Sequence, residues 1–83
     1  EARVAPGDTT RLHRHRSSEE LYHVTQGEGW MTLGDREFEV RAGDTVAILP
    51  GTAHCIRNTG TGVLEILCCC TPPYSDADTE LVD

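Results

Sequence analysis

The chain has 83 residues, which bounds it to one domain with a small core. It carries 7 basic and 14 acidic residues for a net charge of −7, and every base is Arg. That balance, without a basic run, argues against nucleic acid and anionic membrane surfaces as partners, and no apolar run reaches the roughly 18 residues of a membrane span.

No segment shows a helical period of useful length. Short strand-like runs separated by Gly, Pro, Asn and Asp predict strands over Arg11 to His15, Leu21 to Gln26, Gly29 to Leu33, Glu37 to Arg41, Thr45 to Leu49, His54 to Asn58 and Val63 to Cys70. The connectors "QGEG", "LGDR", "RAGD", "LPGT" and "NTGTG" have turn chemistry: Gly supplies positive φ, and Asp or Asn bonds nearby backbone. Short strands at this spacing predict an all-β fold, a small antiparallel barrel or sandwich. The domain is expected to span residues 1–83. Its last ten residues, "YSDADTELVD", follow "TPP" and read as an acidic tail over 74–83. That tail is expected either to be mobile or to dock on a partner through Leu81 and Val82.

Side chains alternate across a strand, so parity sorts them. His13 and His15 share one face, with Arg14 and Arg16 on the other. Glu20, Tyr22 and Val24 share a face opposite Leu21 and His23. In the last strand Glu65 marks the exterior, which turns Leu64, Ile66, Cys68 and Cys70 inward. The cysteines are Cys55 and the run Cys68 to Cys70. Next-but-one strand neighbours lie about 7 Å apart, beyond ordinary disulfide reach. A reduced, intracellular chain is therefore expected. No signal-peptide pattern is visible, which agrees with a cytoplasmic setting.

The stretch "HRHRSSEE" concentrates the chemistry. Two imidazoles on one strand face can reach one ion if their other nitrogens are held. A glutamate after the following turn adds an oxygen donor, and His54, after the tight "LPGTA" turn, adds a third nitrogen. Three nitrogens and one oxygen suit Fe, Mn, Co, Ni, Cu or Zn better than Ca or Mg.

The spacing extends over two blocks. In "GDTTRLHRHRSSEELYHVTQG", Gly7 is followed after five residues by His13, then after one by His15, after four by Glu20 and after six by Gly27. In "GDTVAILPGTAHCIRN", Gly43 is followed after seven residues by Gly51, after two by His54 and after three by Asn58. These blocks resemble the two signature motifs of the cupin superfamily and cover 37 of the 83 residues. One position departs: Leu49 stands where the family usually has Pro, with Pro50 following it.

The resemblance implies a jelly-roll β-barrel of the small single-domain cupin type. It implies metal ligation by His13, His15, Glu20 and His54, with register and parity selecting Glu20 over Glu19. It implies one divalent transition metal per chain (Fe, Mn, Ni, Cu or Zn), a small-molecule substrate and a homodimer. A chain this short is expected to lack some of the usual N-terminal strand, so that its own residues, or a segment outside it, would complete a partner's sheet. Metal-dependent chemistry of the oxygenase or oxidative carbon–carbon cleavage type is expected, because no independent general base stands out. A non-catalytic binding or sensing module is the alternative. Substrate contacts are expected from Tyr22 (core or cavity wall), Arg11 (surface or cavity mouth) and Cys68. Val24, Ile48, Ile56, Leu64 and Ile66 are expected to line the interior. Trp30 is expected in core or interface, Phe38 in the core, and His23 at the surface.

Overall fold

The computed structural model describes residues 1–82. Among the described residues nine strands run in chain order: β1 (Ala2–Val4), β2 (His13–His15), β3 (Glu19–Gln26), β4 (Glu28–Leu33), β5 (Arg36–Arg41), β6 (Thr45–Ile48), β7 (His54–Asn58), β8 (Leu64–Thr71) and β9 (Thr79–Leu81). A single 3₁₀ turn, Asp76–Asp78, precedes β9. The strands form two antiparallel sheets, ordered β1-β8-β3-β6 and β5-β4-β7-β2-β9. This is the expected all-β jelly-roll barrel. Among the described residues no helix is long and apolar enough to cross a membrane.

Period-two patterning explains the core. β3 alternates so that Glu20, Tyr22 and Val24 are buried while Glu19 and Leu21 are exposed. β8 buries Leu64 and Ile66 and leaves Leu67 and Cys69 outside. The two inner faces meet in a cluster that includes Val24, Met31, Val40, Ile48, Ile56, Leu64 and Ile66, with Phe38 and Cys68 packed against it. Burying one such aliphatic side chain stabilises the fold by about 1.5–3 kcal/mol. Trp30 lies at the surface, 38% exposed, and donates its indole N–H to Glu37.

Turn chemistry sets the registers that matter for the site. Leu49-Pro50-Gly51-Thr52 closes with Thr52 N–H donating to Leu49 O at 3.2 Å, and Gly51 takes φ +82°. Pro before a positive-φ Gly is the chemistry of a type II turn, so the Leu49 departure leaves the turn intact. Gly27, between β3 and β4, has φ +89°, and a Cβ there would stand 2.7 Å from Val63 O. Only Gly fits that approach.

The chain differs from expectation at its ends. Residues Ala2–Val4 form β1 and pair with this chain's own β8. The predicted first strand is shorter than expected and begins at His13, because residues 9 and 10 bond β7 irregularly instead. Over residues 79–82 the acidic tail packs along this chain's own β2. β9 pairs with β2, and Val82 N–H donates to Leu12 O. Asp83 lies outside the described residues.

Candidate metal centre

His13 and His54 stand opposite each other in the β2–β7 pair. Their ring centroids are 4.2 Å apart. His15 lies two residues along β2 on the same inward face and is 3% exposed. Glu20 approaches from the opposite sheet, on the inward face of β3, and is 6% exposed. Three imidazoles thus come from the five-stranded sheet and one carboxylate from the four-stranded sheet. One ligating atom from each of the four lies within 4.8 Å of all the others. Glu19 points to solvent from the neighbouring position.

Hydrogen bonds decide which ring nitrogens face inward. His13 Nδ1 lies 2.8 Å from Arg11 O, and His54 Nδ1 lies 2.9 Å from Thr52 O. A carbonyl only accepts, so both Nδ1 atoms carry the proton. His15 Nδ1 lies 3.0 Å from Thr79 Oγ1, whose own proton goes to Ser75 O at 2.8 Å. Thr79 therefore accepts, and His15 Nδ1 donates as well. In the neutral rings every Nε2 is left with a bare lone pair.

Those lone pairs meet a carboxylate. His15 Nε2 and His54 Nε2 lie 3.1 and 3.2 Å from Glu20 Oε1. His54 Nε2 is buried and makes no directed hydrogen bond. Acceptors facing acceptors in a buried site repel unless a cation, a metal ion or a second proton on a ring, sits among them. Burial lowers the pKa of His13, against the bond to Arg11 O, which raises it. Burial would raise the Glu20 carboxyl, but His54, the Cys70 thiol and His15 outweigh it and hold the group below its ordinary range. Imidazoles with their far nitrogens anchored, beside a carboxylate, form a donor set that a divalent transition metal fits.

The surrounding residues have distinct places. Cys70 Sγ donates to Glu20 Oε2 at 3.3 Å. Burial, the bond to Glu20 and its charge push that thiol up to about 11, so it stays protonated. Parity turns Cys68 and Cys70 inward together. The register sets Cys70 opposite Glu20 and Cys68 opposite Tyr22, so it is Cys70 rather than Cys68 that touches the site. Tyr22 is buried with its ring edge-on to His54, at 5.6 Å between centroids. Burial, and then the Glu20 charge, push its phenol well above the usual range. Arg11 contributes its carbonyl to His13, while the residue is exposed. His23 lies on the outer face and bonds Thr45 Oγ1. Thr79 escaped the sequence reading altogether, because its segment carries no strand pattern.

A family model described as a cupin domain matches residues 1–70. Protein MJ1618 of Methanocaldococcus jannaschii is 51% identical over 83 residues, all of this chain and 66% of that protein. An oxalate-binding protein of Thermotoga maritima is 34% identical over 65 residues, covering 78% of this chain and 54% of that protein. The chain thus spans under two thirds of the length of these relatives. The oxalate decarboxylase of Lactobacillus farciminis, solved as a formate complex, superposes with a TM-score of 0.82 at 28% identity over 96% of this chain and 25% of that one. With two antiparallel sheets closed around a His/His/Glu/His cluster and a family match over 70 residues, the chain belongs to the cupin superfamily.

Proposed function

We propose that this protein is a metal-dependent cupin enzyme. In this reading it takes one divalent transition ion per chain (Fe, Mn, Ni, Cu or Zn) and acts on a small oxygen-rich acid. The observation that carries the proposal is the convergence of three Nε2 atoms and one carboxylate, with the Nδ1 atom of each ring bonded outside the set. His13, His15, Glu20 and His54 would hold the ion. When bound, it supplies Lewis-acid polarisation of a substrate oxygen, and redox chemistry if it is Fe or Cu.

The chain's own residues do the rest. Glu20 lowers the net charge of the centre. His13 is the one member of the set that is not fully buried, so the approach for substrate lies on its side. Val24, Ile48, Ile56, Leu64 and Ile66, each 2% exposed or less, keep water from the inner side. Tyr22 and Cys70 remain protonated and can donate hydrogen bonds, but neither supplies a base. That favours chemistry centred on the ion over acid–base epimerisation. An acid with adjacent oxygens, such as oxalate or a 2-oxo acid, suits two open coordination positions. The oxalate-binding relative supports oxalate as the first substrate to test. Carbon–carbon cleavage is the expected reaction class.

The same lack of a free base supports a second reading, a module that binds a small acid without turning it over. One experiment separates the two. Metal-loaded protein is mixed with oxalate, 2-oxo acids and enols while dioxygen uptake and carbon dioxide release are followed, with calorimetry in parallel. Turnover that vanishes in His54→Ala supports the enzyme; tight binding without turnover supports the module.

A homodimer is a further part of the proposal. Leu21 and Leu67, on neighbouring strands of the four-stranded sheet, are 47% and 48% exposed on its outer face. A second copy would cover that face, and sedimentation of Leu21→Glu against the parent chain tests it.

A further inference from the structure

The C-terminal segment lies beyond the residues matched by the family model, which end at 70. It is nevertheless built into the metal centre. β2 carries two of the four candidate ligands and meets β7 at the single pair His13–His54. On its other side β9 runs along all three of its residues: Leu81 opposite His13, Glu80 opposite Arg14, and Thr79 opposite His15. The strand bearing the histidines is therefore held mainly by the tail.

Further contacts fasten the segment. Asp78 accepts from Ser17 N–H at 2.8 Å, Ser17 O–H at 2.6 Å and Ser18 N–H at 3.1 Å, gripping the turn between His15 and Glu20. Arg16 N–H donates to Asp78 O at 2.8 Å. The Tyr74 ring stands edge-on to His15 at 5.9 Å. At the centre of the segment, Thr79 Oγ1 spends its proton on Ser75 O and accepts from His15 Nδ1. His15 owes the direction of its Nε2 lone pair to that hydroxyl.

We propose that residues 75–82 form a latch whose docking is coupled to metal binding, with Thr79 as the positioning residue for His15. The proposal rests on the metal-centre reading above. The coupling is reciprocal. If a docked latch raises affinity for the ion by some factor, the ion strengthens docking by the same factor. Loss of a hydrogen bond that orients a ligating imidazole weakens metal binding by about 10–100-fold.

The test uses Zn(II) alone, titrated against a chromophoric chelator. Thr79→Val keeps the shape and removes the acceptor, so its Zn(II) dissociation constant is expected to rise about 10–100-fold. Thr79→Ser restores the hydroxyl and should return to within a few-fold of the parent, a rescue that mere support of the fold would not give. Asp78→Asn loosens the grip on the turn without touching His15. It should speed hydrogen exchange over residues 75–82 and weaken Zn(II) binding by less than Thr79→Val. In the parent chain, added Zn(II) should slow exchange over the same residues. Parent-like affinity in Thr79→Val, or latch exchange indifferent to Zn(II), overturns the latch while leaving the metal centre standing. A parent chain that binds no Zn(II) overturns both.

Discussion

β2 and β3 both feed the centre, but they are held in opposite ways. β3 is eight residues long and lies inside its sheet, paired with β8 on one side and β6 on the other. Its inward face continues from Glu20 through Tyr22 into Val24, so the carboxylate stands on a core strand. β2 is three residues long, and its pairing is supplied mostly by the tail. The carboxylate is thus fixed by hydrophobic packing, whereas two of the imidazoles are fixed by hydrogen bonds on a short strand between β7 and the edge strand β9. Stability and ligand geometry should therefore separate under mutation.

The largest effect belongs to the ligands on the short strand. Replacing both His13 and His15 with Ala should abolish metal retention, well beyond the about 10–100-fold loss that an outer partner causes, while the circular dichroism of the metal-free fold changes little. The mirror experiment is Leu64→Ala, in the core strand beside β3. Leu64 is fully buried, so its truncation should lower unfolding free energy by about 2–5 kcal/mol in urea titrations. The ligand set would be left in place. If both variants lost stability and metal in parallel, the division of labour between β2 and β3 would be wrong.

Acid should attack the centre in a definite order. His13 has its folded pKa lowered from 6.5, so the unfolded chain binds its proton first. The stability this ring contributes is complete above about 6.5 and is lost as pH falls toward the lowered folded value. Glu20 is lowered from 4.5, so its contribution is complete above that value and lost as pH falls through its own folded pKa. Denaturant midpoints of the metal-free chain should therefore decline in two stages, and His13→Asn should flatten the upper one. A profile unchanged by His13→Asn would show that this ring is not held neutral. The smallest effect on the fold of a single chain should come from the outer face of β8, where Leu67→Ala, measured at dilutions that keep the chain monomeric, should stay within about 0.5 kcal/mol of the parent, in contrast with Leu64→Ala on the inner face of the same strand.

Much of this was legible before the fold was known. Parity placed His13 with His15 and Glu20 with Val24, because strand alternation is local. It also turned Glu65 and Leu67 outward, as they are. Register between distant strands was not legible. Parity could not choose between Cys68 and Cys70; only the pairing of β3 with β8 sets Cys70 opposite Glu20. The tail was opaque for a related reason. "DADTELV" has little strand propensity of its own. β9 forms because Asp78 grips Ser17 and Ser18 and because β2 leaves an edge to be paired. Thr79 is invisible in sequence for the same cause, since its partner lies 64 residues away. The ion itself stays open among Fe, Mn, Ni, Cu and Zn because the same donors serve them all.

The central claim is that four converging acceptors exist to hold a cation. Plasma mass spectrometry of the protein as purified, and again after reconstitution with Zn(II), Mn(II) and Fe(II), tests it most directly. The account predicts close to one transition ion per chain in the parent and almost none in His54→Ala. Substoichiometric metal in the parent under every loading condition, or equal metal in the two proteins, would contradict it.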